Sequence, residues 1–214
     1  MRILDAVRAA RGRRGDPAAV AARLAGPSAN PIPARAMGDL DSRVALFVAM
    51  AEEVATTIDR VATAAEAPAA VARYLAAANL PTEGARAPDL DDLPWDTAPM
   101  LSLRPGRAED GDALGVTGAL AAIAETGTLM MASGPGHPST LNFLPDTHVV
   151  VLRRARVVAT YEDGWARLAA RGAPPRMVNF ITGPSRTADI AQTILLGAHG
   201  PRRLHVVLIE EGDG

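Results

Sequence analysis

The chain has 214 residues, a net charge of −2 and a pI near 6.1, enough length for one substantial core and no field that draws polyanions. Aromatic residues make up 3% of it, too few for bases to stack on, so nucleic acid is not an expected partner. With no cysteine it has no disulfide framework, no thiolate nucleophile and no cysteine-held zinc or iron–sulfur cluster, and any redox centre must come from another protein.

Charged residues interrupt the N-terminal apolar residues, and no run approaches the roughly 18 apolar residues of a membrane span. The expectation is a soluble, cytoplasmic protein with no membrane span. The first eighty residues read as helix. Ile3, Leu4 and Val7 begin one short amphipathic stretch, and Asp16-Pro17 is a cap followed by proline at the first helical position. Residues 26–33, with three prolines, read as a linker. From Asp41 or Ser42 a longer helix is expected, because Val44, Phe47, Met50, Val54, Ile58 and Val61 recur at helical spacing. Pro68 restarts a helix through Val71, Tyr74 and Leu75 that ends near Asn79.

Residues 81–99 are acidic and proline-rich and read as a connection. Asp89, Asp91, Asp92 and Asp96 lack the glycine and terminal glutamate of a calcium loop, so a solvated segment is the preferred reading and no metal site is expected. From Met100 the pattern changes to short apolar runs at 100–103, 121–124, 129–132, 149–152, 177–181 and 204–209, with helical stretches at 165–170 and 185–199. The last two runs, joined by the 185–199 stretch, read as a right-handed βαβ unit. The fold class is therefore α/β, an open and mostly parallel sheet flanked by helices, with a helical N-terminal segment. Residues 1–80 form that segment and pack on the core, 81–99 connect, and 100–214 form the α/β core of one structural unit.

Two stretches carry the chemistry. Glu125 follows an apolar strand and precedes Thr126-Gly127-Thr128 and a second strand. A carboxylate there either finds donors or takes a raised pKa suited to acid–base or nucleophilic work, while a glutamate reaching solvent from a hairpin tip is the plain alternative. The second stretch is Thr182-Gly183-Pro184-Ser185, expected at the carboxyl end of a sheet strand and opening a helix. Gly183 permits the tight turn, Ser185 or Thr187 caps the helix, and free N–H groups with Arg186 suit a small anion. Asp189 satisfies the helix dipole already, so a well-capped buried helix competes with an anion site. The two stretches are expected to share one cleft, with His148 pointing into it and residues 133–139 a flap or an ordinary loop. His205 reads as core and His199 as a helix-terminal cation. There is no His-Glu-x-x-His and no Gly-x-Ser-x-Gly, so metal and serine hydrolysis have no support.

Ala122-Ile123-Ala124-Glu125-Thr126-Gly127-Thr128-Leu129, Leu144-Pro145-Asp146-Thr147-His148-Val149-Val150-Val151 and Ile181-Thr182-Gly183-Pro184-Ser185-Arg186-Thr187-Ala188-Asp189-Ile190 stand in that order. They are followed by Leu196-Gly197-Ala198-His199-Gly200-Pro201 and Leu204-His205-Val206-Val207-Leu208. Together, from about Leu40 to Ile209, they resemble the lactate utilization protein C family, the stand-alone LUD domain. The resemblance implies a fold like that of the ribose-phosphate isomerase, glucosamine-phosphate deaminase and CoA-transferase group. It also implies a part in oxidising L-lactate to pyruvate beside iron–sulfur partner proteins, with no cofactor of the chain's own. Two positions depart from the family pattern: Leu120 stands where an acid is usual, and Pro138-Ser139-Thr140 where an arginine is usual, so the ligand is expected to differ.

Three functions follow as expectations. The first is a non-redox subunit of an L-lactate utilization system that binds a small anionic ligand. In it Glu125 is the catalytic candidate and Thr126, Gly127, Thr128, His148, Gly183, Ser185, Arg186, Thr187 and Asp189 are the ligand contacts. The alternative is a self-contained CoA-transferase-like or sugar-phosphate isomerase-like enzyme using Glu125. A third reading is an assembly subunit that docks through the helix stripe from Val44 to Val61.

Overall fold

The computed structural model describes residues 3–10, 16–25, 31–187, 195–197 and 199–211. The chain divides into two compact units, residues 1–32 and 33–214. The first contains helices α1 (Ile3–Ala10) and α2 (Pro17–Ala25), and Asp16 Oδ1 accepts from the Ala18 N–H as the expected cap.

The second unit opens with α3 (Leu40–Glu53), whose N-cap Asp39 accepts from the Ser42 N–H at 2.8 Å. The stripe from Val44 to Val61 is not one helix. Ala55 takes φ +64°, the Ala55 and Thr56 N–H groups close back on Glu52 O and Ala51 O, and the chain leaves as β1 (Thr57–Val61). Ile58 and Val61 thus belong to a strand. Their spacing fits either element, and the β-branched Thr56-Thr57-Ile58 run was the signal for the strand. Next comes α4 (Ala67–Ala77), which ends in the same motif with Asn79 at φ +51°.

Residues 81–99 are not a plain connection, because β2 (Glu83–Arg86) lies inside them. Its Glu-Gly-Ala-Arg sequence has no apolar signature, since Gly84 sits where a side chain would overlap the Leu114 carbonyl. β3 (Ser102–Pro105) follows, then β4 (Leu114–Thr117), a strand unexpected from sequence. β5 (Ala121–Ile123) and β6 (Thr128–Ala132) form a hairpin, followed by β7 (Thr147–Arg153), β8 (Val157–Val158), α5 (Tyr161–Ala169) and β9 (Val178–Ile181).

No helix follows the Gly-Pro-Ser turn within the described residues. β10 (Arg186–Thr187) pairs antiparallel with β11 (Leu195–Leu196), and residues 188–194 lie outside the described set. The Ser185 N–H donates to Pro201 O and Ser185 O accepts from the Gly197 N–H, ties that hold this backbone away from a helix. The chain closes with β12 (Arg203–Ile209).

Six strands form one parallel sheet in the order β1-β12-β7-β4-β2-β3, and a second sheet runs β8-β5-β6-β9. β9 and β12 therefore lie in different sheets, and the expected βαβ unit between them does not exist. The two-residue period sorts side chains into layers. Val149, Val151, Val207 and Ile209 pack beneath α4, while Val150, Leu152, Val206 and Leu208 face α3 and the second sheet. In the hairpin, Ala122, Ala124, Leu129 and Met131 join that middle layer, and Ile123 and Met130 face outward beneath α5. Val44, Phe47 and Ala51 of α3 are buried in it, so they offer no docking stripe.

Candidate functional site

The hairpin turn is pinned from three sides. Gly127 has φ +66° and touches α3 so closely that a Cβ there would overlap the Ala51 N and Met50 C atoms. The Glu125 N–H donates to Ala159 O, and Glu125 O accepts from Arg35. The carboxylate of Glu125 is buried, and Oε1 accepts from the Tyr161 N–H at 3.0 Å. Tyr161 opens α5, where Thr160 and Asp163 already form a reciprocal capping box. Glu125 therefore has found a donor at a positive helix end and serves as an extra cap.

Thr126 and Thr128 hydrogen-bond each other at 2.7 Å and both reach the Tyr161 hydroxyl. Thr128 Oγ1 also lies 2.7 Å from Thr182 Oγ1, because β6 and β9 are paired with Leu129 opposite Ile181. The hairpin and the Gly-Pro-Ser turn are thus neighbours. They do not share a cleft: Thr182, Gly183, Ser185, Arg186 and His148 line a cavity of about 390 Å³, and Glu125, Thr126, Gly127 and Thr128 do not. The expected Glu125-facing site is corrected accordingly. Of Thr187 only the pairing with Leu195 is described, and Asp189 lies outside the described residues.

This cleft opens at the amino ends of β7 and β12, where Asn142, Phe143 and His148 approach one strand and His199, Pro201 and Leu204 the other. The turn does follow the carboxyl end of β9, but β9 belongs to the small sheet, so the expected position at the carboxyl edge of the parallel sheet does not hold. Gly183 makes the turn at φ +77°, where a Cβ would overlap the Val54 carbonyl. Arg186 donates to that same carbonyl at 2.6 Å, which leaves the remaining donors of its fork unused by this bond.

Two fully buried polar side chains line the cleft. His148 Nε2 lies 2.8 Å from Thr117 Oγ1, and His148 Nδ1 has no hydrogen-bond partner. Burial, helped by nearby His137, pushes the His148 pKa down to about 3, so the ring is neutral. Asn142 Oδ1 accepts from His137 Nε2 at 3.2 Å, while Asn142 Nδ2 has no partner. Unpaired buried polar atoms are costly, and these two belong to residues that line the same cavity. Sequence reasoning found His148 but not Asn142, which sits in an unpatterned Leu141-Asn142-Phe143 stretch.

Residues 110–209 match the LUD domain. Over that stretch, 100 of its 214 residues, the chain is similar to the LUD-domain family. Lactate utilization protein C of Exiguobacterium sp. is 34% identical over 102 residues, covering 46% of this chain and 44% of that relative. Lactate utilization protein C of Deinococcus radiodurans is 34% identical over 124 residues, 54% of this chain and 58% of the relative. The matched segments thus span about half the length of these curated relatives. A crystal structure of a DUF162 family protein from Deinococcus radiodurans shares the fold at a TM-score of 0.62 and 26% identity, covering 81% of this chain and 99% of that one. Within the LUD domain lie β4 through β12 and every cleft residue but Val54, whereas β1 to β3, α3 and α4 precede it. No helix among the described residues is long and apolar enough to cross a membrane, and no group of metal-binding side chains occurs among them.

Proposed function

We propose that this protein serves L-lactate utilization by holding a small 2-hydroxy carboxylate in the cleft at the amino ends of β7 and β12. The observation that carries the reading is the pair of unpartnered buried atoms, His148 Nδ1 and Asn142 Nδ2, on two residues of a cavity that Arg186 also lines. The Arg186 guanidinium suits a carboxylate, and a neutral imidazole with an amide N–H suits a hydroxyl. The likeness to proteins named lactate utilization protein C supports L-lactate as that ligand.

Oxidation of L-lactate to pyruvate releases two electrons and two protons. A ring titrating near pH 3 is a weak base, and the chain has no cysteine to hold a cluster, so its own residues bind and orient. The electrons go to iron–sulfur clusters in partner proteins. Glu125 is not given the role of nucleophile or base, because its carboxylate caps α5.

Calorimetric titration of the purified chain with L-lactate tests this reading. Binding is expected, weakened about tenfold or more by Arg186→Gln and by Asn142→Leu. No heat and no thermal stabilisation at saturating L-lactate would remove the proposal.

A further inference from the structure

A second cavity, of about 510 Å³, lies at the opposite edge of the parallel sheet, outside the carboxyl ends of β2, β4 and β7. Ligands of open α/β sheets bind at that edge, and the volume suits a small metabolite. Arg153 comes from the end of β7, Arg156 from the turn after it, Arg167 from α5 and Arg171 from the turn beyond α5. Against these four guanidinium groups the lining holds one carboxylate, Asp89, whose Oδ2 lies 3.4 Å from His137 Nδ1. Arg153 bonds Asp92 at 2.6 Å and Arg167 donates to Ala155 O at 2.9 Å. Arg156 and Arg171 have no side-chain partner among the described residues.

We propose that this cavity binds a small phosphate-bearing metabolite. With Arg153 paired to Asp92 and Asp89 in the lining, a phosphate near charge −2 with three acceptor oxygens matches the positive charge that remains, whereas a monocarboxylate matches half of it. Gly134 and Gly136 form the facing loop, and with no side chain they let a ligand approach the backbone. No Phe, Tyr or Trp lines the cavity, so a nucleotide base has no stacking surface and the ligand is an aliphatic phosphate. The loop at 133–139, expected as a flap over the cleft or an ordinary loop, thus walls this cavity, and His137 links it to the cleft through Asn142.

Inorganic pyrophosphate is the first probe, read by thermal shift and calorimetry at low and at about 0.3 M salt. Pyrophosphate is expected to raise the Tm, more so at low salt. Arg156→Gln/Arg171→Gln is expected to weaken it about tenfold or more while leaving the Tm of the unliganded chain unchanged or higher, because like charges are removed. Glycerol 3-phosphate is expected to bind at least as tightly as adenosine monophosphate. No shift at millimolar pyrophosphate, or equal affinity in the double variant, overturns the site, and tighter binding of the nucleotide overturns the aliphatic assignment. L-Lactate titration of the same double variant keeps failure here distinct from failure of the cleft, which none of these substitutions touches.

Discussion

His137 Nε2 donates to Asn142 Oδ1 at 3.2 Å, and this buried hydrogen bond joins the two cavities of the molecule. Asn142 lines the cleft at the amino ends of β7 and β12, and His137 lines the arginine-rich cavity at the carboxyl ends. His137→Leu leaves the Asn142 oxygen buried without a donor. The expected outcome is a loss of about 1–3 kcal/mol in denaturant unfolding together with weaker L-lactate binding.

Acid should destabilise the protein through two histidines. Burial lowers the pKa of His148 to about 3 and that of His205, stacked on Tyr74 with its Nδ1 2.8 Å from Thr57 Oγ1, to about 4. Below the ordinary value of 6.5 the unfolded chain takes up these protons and the folded chain does not, so stability is lost as pH falls from 6.5. Each ring contributes a slope of about 1.4 kcal/mol per pH unit. That slope ends near pH 4 for His205 and near pH 3 for His148. Unfolding free energies measured between pH 7 and pH 4 check this, and His148→Asn should flatten the curve.

Glu125→Gln keeps an acceptor oxygen for the Tyr161 N–H, and is expected to change stability by less than about 1 kcal/mol, whereas Glu125→Ala costs about 1–2 kcal/mol. Thermal melts of the two variants separate a cap from a catalytic carboxylate, for which Gln and Ala are equally damaging to activity.

Backbone conformation supplies a pair of opposite expectations. Ala55 sits at φ +64°, so Ala55→Gly should stabilise by about 0.5–1 kcal/mol. Gly183→Ala meets both a positive φ and the Val54 carbonyl and should cost about 2–4 kcal/mol, while Gly134→Ala meets nothing within 4 Å and should be near neutral. Chemical denaturation of the three variants checks the order.

Where a strand was buried on both faces, its apolar run named it, as with Val149 to Leu152 and Leu204 to Ile209. Helix ends were legible where a cap or proline marked them, as at Asp16-Pro17 and Pro68. β2 was hidden because Gly84 and Ala85 fill a crowded place with no bulk, and β1 because Ile58 and Val61 fall at helical spacing from α3. The turn at Gly183 was visible as a turn, but its partners are Val54, Gly197 and Pro201, far apart in sequence, and these set extended backbone where Ser185 suggested a helix cap. Half of the candidate site was readable for the same reason. His148 and Gly183 to Arg186 stand in patterned segments, whereas Asn142 gains its role from packing alone, and Glu125 lost its expected role to an α5 N–H contributed from outside its hairpin.

The most direct measurement is nitrogen-15 NMR of the His148 ring during titration with L-lactate. The expected result is a shift of the His148 Nδ1 resonance with the ring neutral throughout, and loss of that shift in Arg186→Gln. An unmoved His148 ring at saturating L-lactate, with changes instead around Glu125 and Tyr161, would contradict it.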